Sequence, residues 1–366
     1  MSQLTCGFIG LGLIGGSIAR ALKQSVPNVR IIAYDISEAS LRLALDQQIA
    51  DVAANAIDQH FSCCDYIFLC APVQKNDLSL SAVRKIISPD CLLTDVGSVK
   101  TTIHEAVRDA GLEHCFIGGH PMAGSERTGF VNSKASLLEN AYYILTPTDQ
   151  VPSEKLKAYC KLVSDMGAIP LVLDYRKHDY VTAAISHLPH VVASSLVNLV
   201  RDSDSADGIM KMVAAGGFKD ITRIASSSAV MWQQICLTNT SNISQLLGDY
   251  IDALSRVKES LDKKDKDELY DFFDSARIYR DSFISASSGP IKKSYSICVD
   301  IADRPGALAF VVALLAENNI SIKNIGITHN REAEDGVLQL EFYEESALRT
   351  AAALLEKERY TLHERS

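Results

Sequence analysis

The glycine-rich segment Gly10–Gly15, whose sequence is GLGLIG, constrains the fold of this chain more than any other stretch. It follows the apolar run Leu4–Ile9 and opens a helical pattern, and Asp35 directly follows the next apolar run, Arg30–Tyr34. Glycines at this spacing let the chain turn tightly and let backbone amides approach a pyrophosphate at a helix N-terminus. This order predicts a dinucleotide-binding βαβ unit, although a glycine turn can also serve only to pack a strand against a helix.

The acidic residue after the second strand indicates which dinucleotide binds. Asp35 would accept hydrogen bonds from the adenosine 2′- and 3′-hydroxyls, and its charge would repel a 2′-phosphate, so NAD is favoured over NADP. Two further strand ends, at Cys70 and Asp95, place small residues where a nicotinamide nucleotide would pass. The predicted cofactor-binding residues are Gly10, Leu11, Gly12, Leu13, Ile14, Gly15, Asp35, Ala71, Pro72, Val73 and Ser98.

The first 150 residues alternate short apolar runs with helical patterns, which is typical of an α/β fold with a Rossmann-type parallel sheet. One more short strand, Ile169–Leu173, precedes long helical patterns that continue to about Phe283. We therefore predict an NAD-binding domain over residues 1–150 and a mainly helical substrate and dimerisation domain over residues 151–285. The predicted strands of the parallel sheet are Leu4–Ile9, Arg30–Tyr34, Tyr66–Cys70, Cys91–Asp95, Cys115–Ile117 and Tyr142–Leu145.

The helices of the second domain have broad apolar faces. Apolar residues recur at helical spacing along residues 191–200 and 246–254. Faces of this width pack either against a second subunit, which would make the protein a homodimer, or inside the same chain.

Length and composition bound the class of protein. The chain has 366 residues, enough for two or three domains. Its net charge of −9 argues against nucleic acid or an acidic membrane as a partner. The nine cysteines include no Cys-x-x-Cys pair, which favours reduced thiols over disulfides or a zinc site. The apolar N-terminal run lacks a basic leader and is broken by glycines, so we expect no signal peptide, no membrane span and a cytoplasmic location.

A histidine lies within the segment Gly118–Glu126, whose sequence is GGHPMAGSE. Gly-Gly-His-Pro cannot continue a helix, because glycine is costly in a helix interior and proline disfavours helical backbone in the residue before it. The segment follows the predicted strand Cys115–Ile117, so we expect His120 on a loop at a strand's carboxyl end, where ligands bind in open parallel sheets. A loop histidine that bonds only backbone or water is the alternative.

A hydroxyl and a histidine pair are further polar features. Ser98 is the only hydroxyl in the turn after Asp95, where it could meet the nicotinamide or the reacting carbon, or cap the helix predicted near Thr101. His187 and His190 are three residues apart and share a helical face. No third ligand of suitable spacing stands out beside them, so we predict no metal site.

A cation lies in apolar helical sequence further along the chain. Arg223 stands among Ile221, Ile224 and Ala225, where an unpaired guanidinium would be expensive to bury. It therefore needs an anionic partner, either an internal carboxylate such as Asp220 or a ligand.

Together these segments resemble the motifs of the prephenate/arogenate dehydrogenase family, in the family's order and over residues 4–285. The resemblance implies NAD-dependent oxidative decarboxylation of prephenate to 4-hydroxyphenylpyruvate in tyrosine biosynthesis. The alternatives are arogenate as the substrate, a hydroxyacid or imine dehydrogenase, and a non-catalytic NAD-binding sensor of amino acids. The matching motifs are Gly10–Gly15, Val96–Lys100, Gly119–Glu126, Ser186–His190 and Gly217–Arg223.

The resemblance also implies roles for single residues. His120 would accept a hydrogen bond from the substrate hydroxyl as hydride departs, and Ser98 would assist it. Arg223 would bind a substrate carboxylate. The implied substrate-binding residues are Ser98, His120, Glu126, Ser186, His187, His190, Lys219 and Arg223. The positions implied around the pocket entrance, some of them reaching across a dimer interface, are Glu126, Asp179, Lys219, Asp220 and Trp232, for which ordinary surface or interface ion pairing is the alternative.

The C-terminal part of the chain is predicted to form a separate domain. Residues 286–294 form a small, polar linker broken by Gly-Pro, and residues 295–366 show the βαββαβ order of a ferredoxin-like fold. The turn between the first strand and first helix, with Asn318–Asn324, resembles the ACT domain, a regulatory module that binds amino acids. The resemblance implies feedback inhibition by L-tyrosine, or alternatively a role in dimerisation alone. The implied regulatory residues are Asp303, Pro305, Gly306, Ala307, Leu308 and Asn324.

Overall fold

The computed structural model describes residues 3–71, 79–125, 127–285, 295–302, 304–328 and 336–364. The chain divides into two compact units, Met1–Asp265 and Lys266–Ser366. The predicted domain boundaries at residues 150 and 285 remain predictions, and the predicted linker, residues 286–294, lies outside the described residues.

The first unit is built on a parallel sheet, as the sequence analysis predicts. Its strands are β1 (Thr5–Ile9), β2 (Arg30–Tyr34), β3 (Val52–Ala53), β4 (Tyr66–Leu69) and β5 (Leu92–Asp95). They pair in the order β3-β2-β1-β4-β5, and all pairs are parallel. The strand order reverses beside β1, which is where open α/β sheets form a ligand crevice. The glycine-rich segment begins directly after β1, so it lies at this switch point.

A second sheet corrects the prediction that the later strands continue the parallel sheet. It consists of β6 (Ile117–Pro121), β7 (Tyr142–Pro147) and β8 (Ile169–Val172), in the order β6-β7-β8. β6 and β7 are antiparallel, and β7 and β8 are parallel. A single parallel bridge, Leu93 to Phe116, links β5 to the chain just before β6.

The prediction of a loop around His120 is wrong, because the residue lies inside β6. The two glycines before it serve close packing instead of a turn. A Cβ on Gly119 would lie 2.6 Å from the backbone oxygen of Asp95, so only glycine lets β6 pass this close to the end of β5. Pro121 is then the last residue of the strand, a position that proline tolerates.

Helices cover the parallel sheet and make up most of the first unit after residue 174. The run Tyr175–Ser203 is continuous, with a π-helical turn at Ala183–His187 between two α-helices. The helices of the first unit are α1 (Leu13–Ser25), α2 (Glu38–Asp46), α3 (Thr101–Asp109), α4 (Ser153–Asp165), α5 (Tyr175–Thr182), α6 (Leu188–Ser203), α7 (Ile209–Val213), α8 (Gly216–Thr222), α9 (Ala229–Thr238) and α10 (Thr240–Lys263).

The broad apolar faces of these helices are not buried within the described chain. Ala193 is the only buried residue of α6, and Leu254 on α10 remains 48% exposed. The run Tyr175–Ser203 is long and apolar enough to cross a membrane by length and composition alone, yet only 17% of its apolar window is buried. Among the described residues of the first unit, these faces are therefore only partly covered, and packing against a second subunit remains a prediction.

The second unit contains the predicted βαββαβ arrangement. Its strands are β9 (Tyr295–Ile301), β10 (Ile322–Thr328), β11 (Gly336–Phe342) and β12 (Leu362–Glu364), and its helices are α11 (Lys266–Ser285), α12 (Ala307–Glu317) and α13 (Glu345–Lys357). The antiparallel sheet order β10-β11-β9-β12 is the ferredoxin-like order. Its core includes Val299, Leu315 and Leu340, which are fully buried.

Candidate active site

The glycine turn after β1 forms a cradle that side chains would fill. Gly10 has a φ of +100°, and a Cβ there would lie 2.8 Å from the amide nitrogen of Ala71. A Cβ on Gly15 would lie 2.7 Å from the carbonyl oxygen of Gly10. Gly12 precedes α1 without a side-chain cap and faces open space, so the first amides of α1 are available to an anionic group.

The carboxylate of Asp35 lies beside this turn. One of its oxygens accepts from the amide of Leu11 at 2.5 Å, and the other accepts from the amide of Ser37 at 2.7 Å. These contacts hold the carboxylate at the end of β2, in the position that the cofactor prediction requires. Two of the predicted cofactor residues, Pro72 and Val73, lie outside the described residues.

A buried ion pair joins the end of β5 to β6. Lys100 and Asp95 are 0% and 1% exposed, and the ammonium donates to the Asp95 carboxylate and to the carbonyl oxygen of Gly119 at 2.8 Å. Asp95 also accepts from the amides of Gly97 at 2.9 Å and Gly119 at 3.2 Å. Burial lowers the pKa of Lys100, and the neighbouring Asp95 charge opposes that shift. The pair holds the turn that carries Ser98 against the strand that carries His120.

Ser98 is partly exposed in the turn between β5 and α3. The alternative in which it caps α3 is wrong, because a different residue satisfies that helix end. Asp179 accepts from the amides of Lys100 at 2.7 Å and Thr101 at 2.8 Å. The Ser98 hydroxyl therefore has no capping task at the start of α3.

His120 is the end of a chain of hydrogen bonds. Its Nδ1 lies 2.8 Å from Nε2 of His178, and Nδ1 of His178 lies 2.8 Å from Oδ1 of Asp179. His178 and Asp179 are buried, whereas His120 is partly exposed. In the part of the chain that the structure describes, Nε2 of His120 has no hydrogen-bond partner. Asp179 was expected around the pocket entrance, and the structure instead places it in the interior because it binds the buried end of α3.

The protonation of these groups follows from their burial. Burial lowers the pKa of His120 well below its usual 6.5, and the charges of His178, Lys100 and His187 lower it further. Burial also lowers the pKa of His178, against the effect of its bond to Asp179. For Asp179, burial alone would raise the pKa, but hydrogen bonds from His178 and Thr101 outweigh it and lower the pKa. The histidines are therefore neutral and the carboxylate is ionised near neutral pH.

Both histidines of the predicted pair, His187 and His190, pack against the ring of Trp232. His190 stacks on Trp232 with ring centroids 3.6 Å apart, and His187 meets the same ring edge-on at 6.0 Å. His187 is buried, and its Nδ1 lies 3.2 Å from Nδ2 of Asn239. Burial lowers the pKa of His187 to about 4. The Nδ1 of His190 bonds the carbonyl oxygen of Ser186 at 2.9 Å. His187 belongs to the π-helical turn, a distortion that is common at functional sites.

The expectation that Arg223 is buried is wrong. It lies in a 3₁₀ turn, Arg223–Ser226, and is exposed, as is Ile221 at 63%. The apolar residues around it therefore do not enclose it. Burial lowers the pKa of His190, and the hydrogen bond to Ser186 opposes that shift. The positive charge of Arg223 lowers the pKa of His190 further, as expected for a guanidinium in the neighbourhood of that ring. Lys219 is exposed on α8, and Glu126 lies outside the described residues.

Comparison with known proteins identifies the family. Residues 18–171 match the nucleotide-binding domain of prephenate dehydrogenase, and residues 174–275 match its dimerization domain. The chain belongs to the prephenate dehydrogenase family. A prephenate dehydrogenase from Bacillus subtilis (strain 168) is 36% identical over 95% of this chain and 94% of its own length.

Two solved members of the prephenate dehydrogenase family share the fold of this chain. The prephenate dehydrogenase from A. aeolicus, in complex with hydroxyphenyl propionate and NAD+, has a TM-score of 0.73 at 32% identity, over 77% of this chain and 99% of that chain. The arogenate dehydrogenase from Synechocystis has a TM-score of 0.69 at 28% identity, over 76% of this chain and 100% of that chain. About a quarter of this chain therefore has no counterpart in those two solved chains, although the Bacillus relative matches nearly all of it.

Proposed function

We propose that this chain catalyses the NAD-dependent oxidative decarboxylation of prephenate to 4-hydroxyphenylpyruvate, CO2 and NADH, a step of L-tyrosine biosynthesis. The observation that carries the proposal is the partly exposed imidazole of His120, which is held through Nδ1 and has Nε2 available. Family membership supports it, as does the A. aeolicus relative solved with NAD+ and hydroxyphenyl propionate. The similarity to an arogenate dehydrogenase supports arogenate as the second candidate substrate.

NAD+ supplies the hydride acceptor of this reaction. The glycine turn and the first amides of α1 would hold its pyrophosphate, and Asp35 would accept from the ribose hydroxyls. Ala71 lies at the end of β4 beside Gly10, where the nucleotide would cross the sheet. Because the Asp35 carboxylate would repel a 2′-phosphate, we propose a preference for NAD+ over NADP+.

The chemistry of prephenate requires an acceptor at its ring hydroxyl. Prephenate is a cyclohexadienol with two carboxylates, and the carbon that loses hydride carries the hydroxyl. A neutral His120 accepts the hydroxyl's hydrogen bond and stabilises the positive charge that develops as hydride departs. Ser98, on the adjoining turn, would orient the hydroxyl and the nicotinamide. Loss of CO2 then makes the ring aromatic, which draws the reaction to completion.

Substrate recognition is assigned to the groups around Trp232. Arg223 would bind a substrate carboxylate, a charge-assisted contact worth about 1.5–3 kcal/mol. Its exposure leaves the guanidinium accessible to a dianionic substrate. The remaining proposed substrate-binding residues are Ser186, His187 and His190, together with Lys219 and Glu126, whose positions rest on the sequence resemblance.

The exposed apolar faces and the free cysteines support proposals about the oligomeric state and the location of the protein. The exposed apolar faces of α6 and α10 belong to the segment that matches a dimerization domain, so we propose a homodimer. Lys219 and Asp220, exposed on α8, would then be able to serve the partner's site. All nine cysteines are free, which supports a cytoplasmic location.

The second unit is proposed to bind L-tyrosine as a feedback inhibitor. Gly306 has a φ of +90° and precedes α12 without a side-chain cap. The amide of Ala307 donates to the carbonyl oxygen of Arg304 at 3.2 Å, so the amide of Leu308, and not that of Ala307, is available to a carboxylate. Asn324 is exposed on β10, with its side-chain oxygen accepting from the amide of Ile325 at 2.9 Å. Pro305 belongs to the same turn as Gly306, and Asp303 lies outside the described residues.

Initial rates with purified protein test the substrate assignment. We expect prephenate with NAD+ to give the highest kcat/KM among the four combinations of prephenate or arogenate with NAD+ or NADP+. NADH formation would be followed by absorbance. Absence of NADH formation with both substrates would reject catalysis, and a higher kcat/KM for arogenate would select the second candidate.

Replacing the proposed acceptor tests its role. His120→Asn should lower kcat by at least about 100-fold, because acid–base assistance typically contributes 10²–10⁴-fold. The affinity for NAD+, measured by fluorescence titration, should stay close to that of the wild type, since His120 does not belong to the glycine turn. Turnover near the wild-type rate would refute the assignment.

As the pH is lowered, kcat should begin to fall only below the usual histidine pKa of 6.5. Protonated His120 cannot accept a hydrogen bond, so activity is present above its pKa and is lost as pH falls through it. Because burial lowers that pKa well below 6.5, kcat should stay level down to about pH 6.5 and decline only at lower pH. A midpoint at or above pH 6.5 under chemistry-limited conditions would contradict the prediction.

Calorimetry with the intact protein tests the regulatory proposal. L-tyrosine should bind and inhibit, and Asn324→Ala should weaken both effects without changing the uninhibited rate. Asn318→Ala is the matched control, because Asn318 is also an exposed asparagine of this unit and its side chain donates to the carbonyl oxygen of Leu314 at 2.8 Å on its own helix. No heat of binding together with unchanged activity at millimolar tyrosine would eliminate the proposal.

A further inference from the structure

We infer that His178 and Asp179 are positioning residues that determine which ring nitrogen of His120 carries the proton. In this arrangement Nδ1 of His120 is protonated and Nε2 presents a lone pair to the substrate hydroxyl. The inference rests on the proposed function, since it explains how His120 is kept in the form that the reaction requires.

The carboxylate of Asp179 determines the direction of its hydrogen bond with His178. An ionised carboxylate only accepts, and the two oxygens of Asp179 already accept from the amides of Lys100 and Thr101. The bond of 2.8 Å between Oδ1 of Asp179 and Nδ1 of His178 must therefore be donated by the histidine. The proton of neutral His178 is on Nδ1, and its Nε2 is an acceptor.

The hydrogen bond between His178 and His120 then has one possible direction. Nε2 of His178 lies 2.8 Å from Nδ1 of His120 and has no proton, so His120 donates. A neutral imidazole has one protonated nitrogen, which leaves Nε2 of His120 as the acceptor. This is also the nitrogen that has no partner among the described residues.

The arrangement overcomes the intrinsic preference of the ring. A histidine side chain in water favours the form with the proton on Nε2, which would present a donor to the substrate. His178 and Asp179 are 0% and 1% exposed, so water does not compete for these bonds. No proton needs to move along the chain. If His120 takes the hydroxyl proton on Nε2, the resulting charge is balanced by the bonds to His178 and Asp179, and Nε2 later returns the proton to solvent.

The charged and titratable groups around the two rings keep both neutral. His120 faces His178, Lys100 and His187, and His178 faces Asp179, Lys100 and Asp95. The cationic Lys100 opposes a second positive charge on either ring. Both rings are therefore neutral near neutral pH.

Replacing His178 by a ring without nitrogen tests the inference. His178→Phe removes the acceptor for Nδ1 of His120, so kcat should fall by about 10- to 100-fold, a part of the 10²–10⁴-fold that acid–base assistance supplies. His104→Phe is the matched control, because His104 is also buried and its Nε2 lies 2.9 Å from Oγ1 of Thr146, outside the chain of hydrogen bonds from His120 to Asp179. An equal loss of kcat in both variants would overturn the inference.

A spectroscopic measurement separates this role from a structural one. With ¹⁵N-labelled histidine, the signals of His120 are those that disappear in His120→Asn, and their shifts report which nitrogen is protonated. In the wild type without substrate we expect a protonated Nδ1 and a bare Nε2, and in His178→Phe a shift of the proton to Nε2. A protonated Nε2 in the wild type, or no change in the variant, would overturn the inference. This result does not depend on turnover, so failure of the prephenate assay would reject the proposed function and leave the inference standing on its own test.

Discussion

The buried ion pair between Asp95 and Lys100 is the interaction on which the geometry of the site depends. It connects the carboxyl end of β5 with Gly119 in β6, so the turn that carries Ser98 and the strand that carries His120 are fixed to one point. Removing either charge would leave its partner isolated in the interior at a cost of about 3–5 kcal/mol. The fully buried charges are therefore tolerated only together, and with the backbone contacts that surround them.

Burial also determines the chemical character of the groups nearby. It lowers the pKa values of His120, His178, His187 and His190, which keeps a cluster of imidazoles neutral beside one ionised carboxylate. Neutral rings offer lone pairs at the proposed reaction centre, while the exposed Arg223 offers a positive charge to the substrate's carboxylates. The site thus combines neutral imidazoles in the interior with an exposed arginine, which suits a dianion that must lose hydride and CO2.

The sequence predicts those parts of the molecule that local patterns determine. The parallel sheet, the glycine turn with Asp35 and the order of the second unit follow from strand, turn and helix signals within short segments. The position of His120 inside a strand does not, because the two glycines before it allow close packing against residues distant in the sequence, Gly118 against Thr146 and Gly119 against Asp95, and do not form a turn. The exposure of Arg223 and the role of His178 also depend on tertiary packing. The adjacent pair His178-Asp179 is the available sequence signal for the buried chain of hydrogen bonds, since titratable side chains that become buried need hydrogen-bond partners.

The proposed reaction requires Nε2 of His120 to meet the hydroxyl at the reacting carbon. A crystal structure of this chain with NAD+ and hydroxyphenyl propionate tests it most directly, because the phenolic oxygen of that ligand corresponds chemically to the ring hydroxyl of the substrate. We expect this oxygen within about 2.6–3.2 Å of Nε2 of His120, with Nδ1 still bound to His178. A phenolic oxygen bound elsewhere, or a His120 ring turned so that Nδ1 faces the ligand, would contradict it.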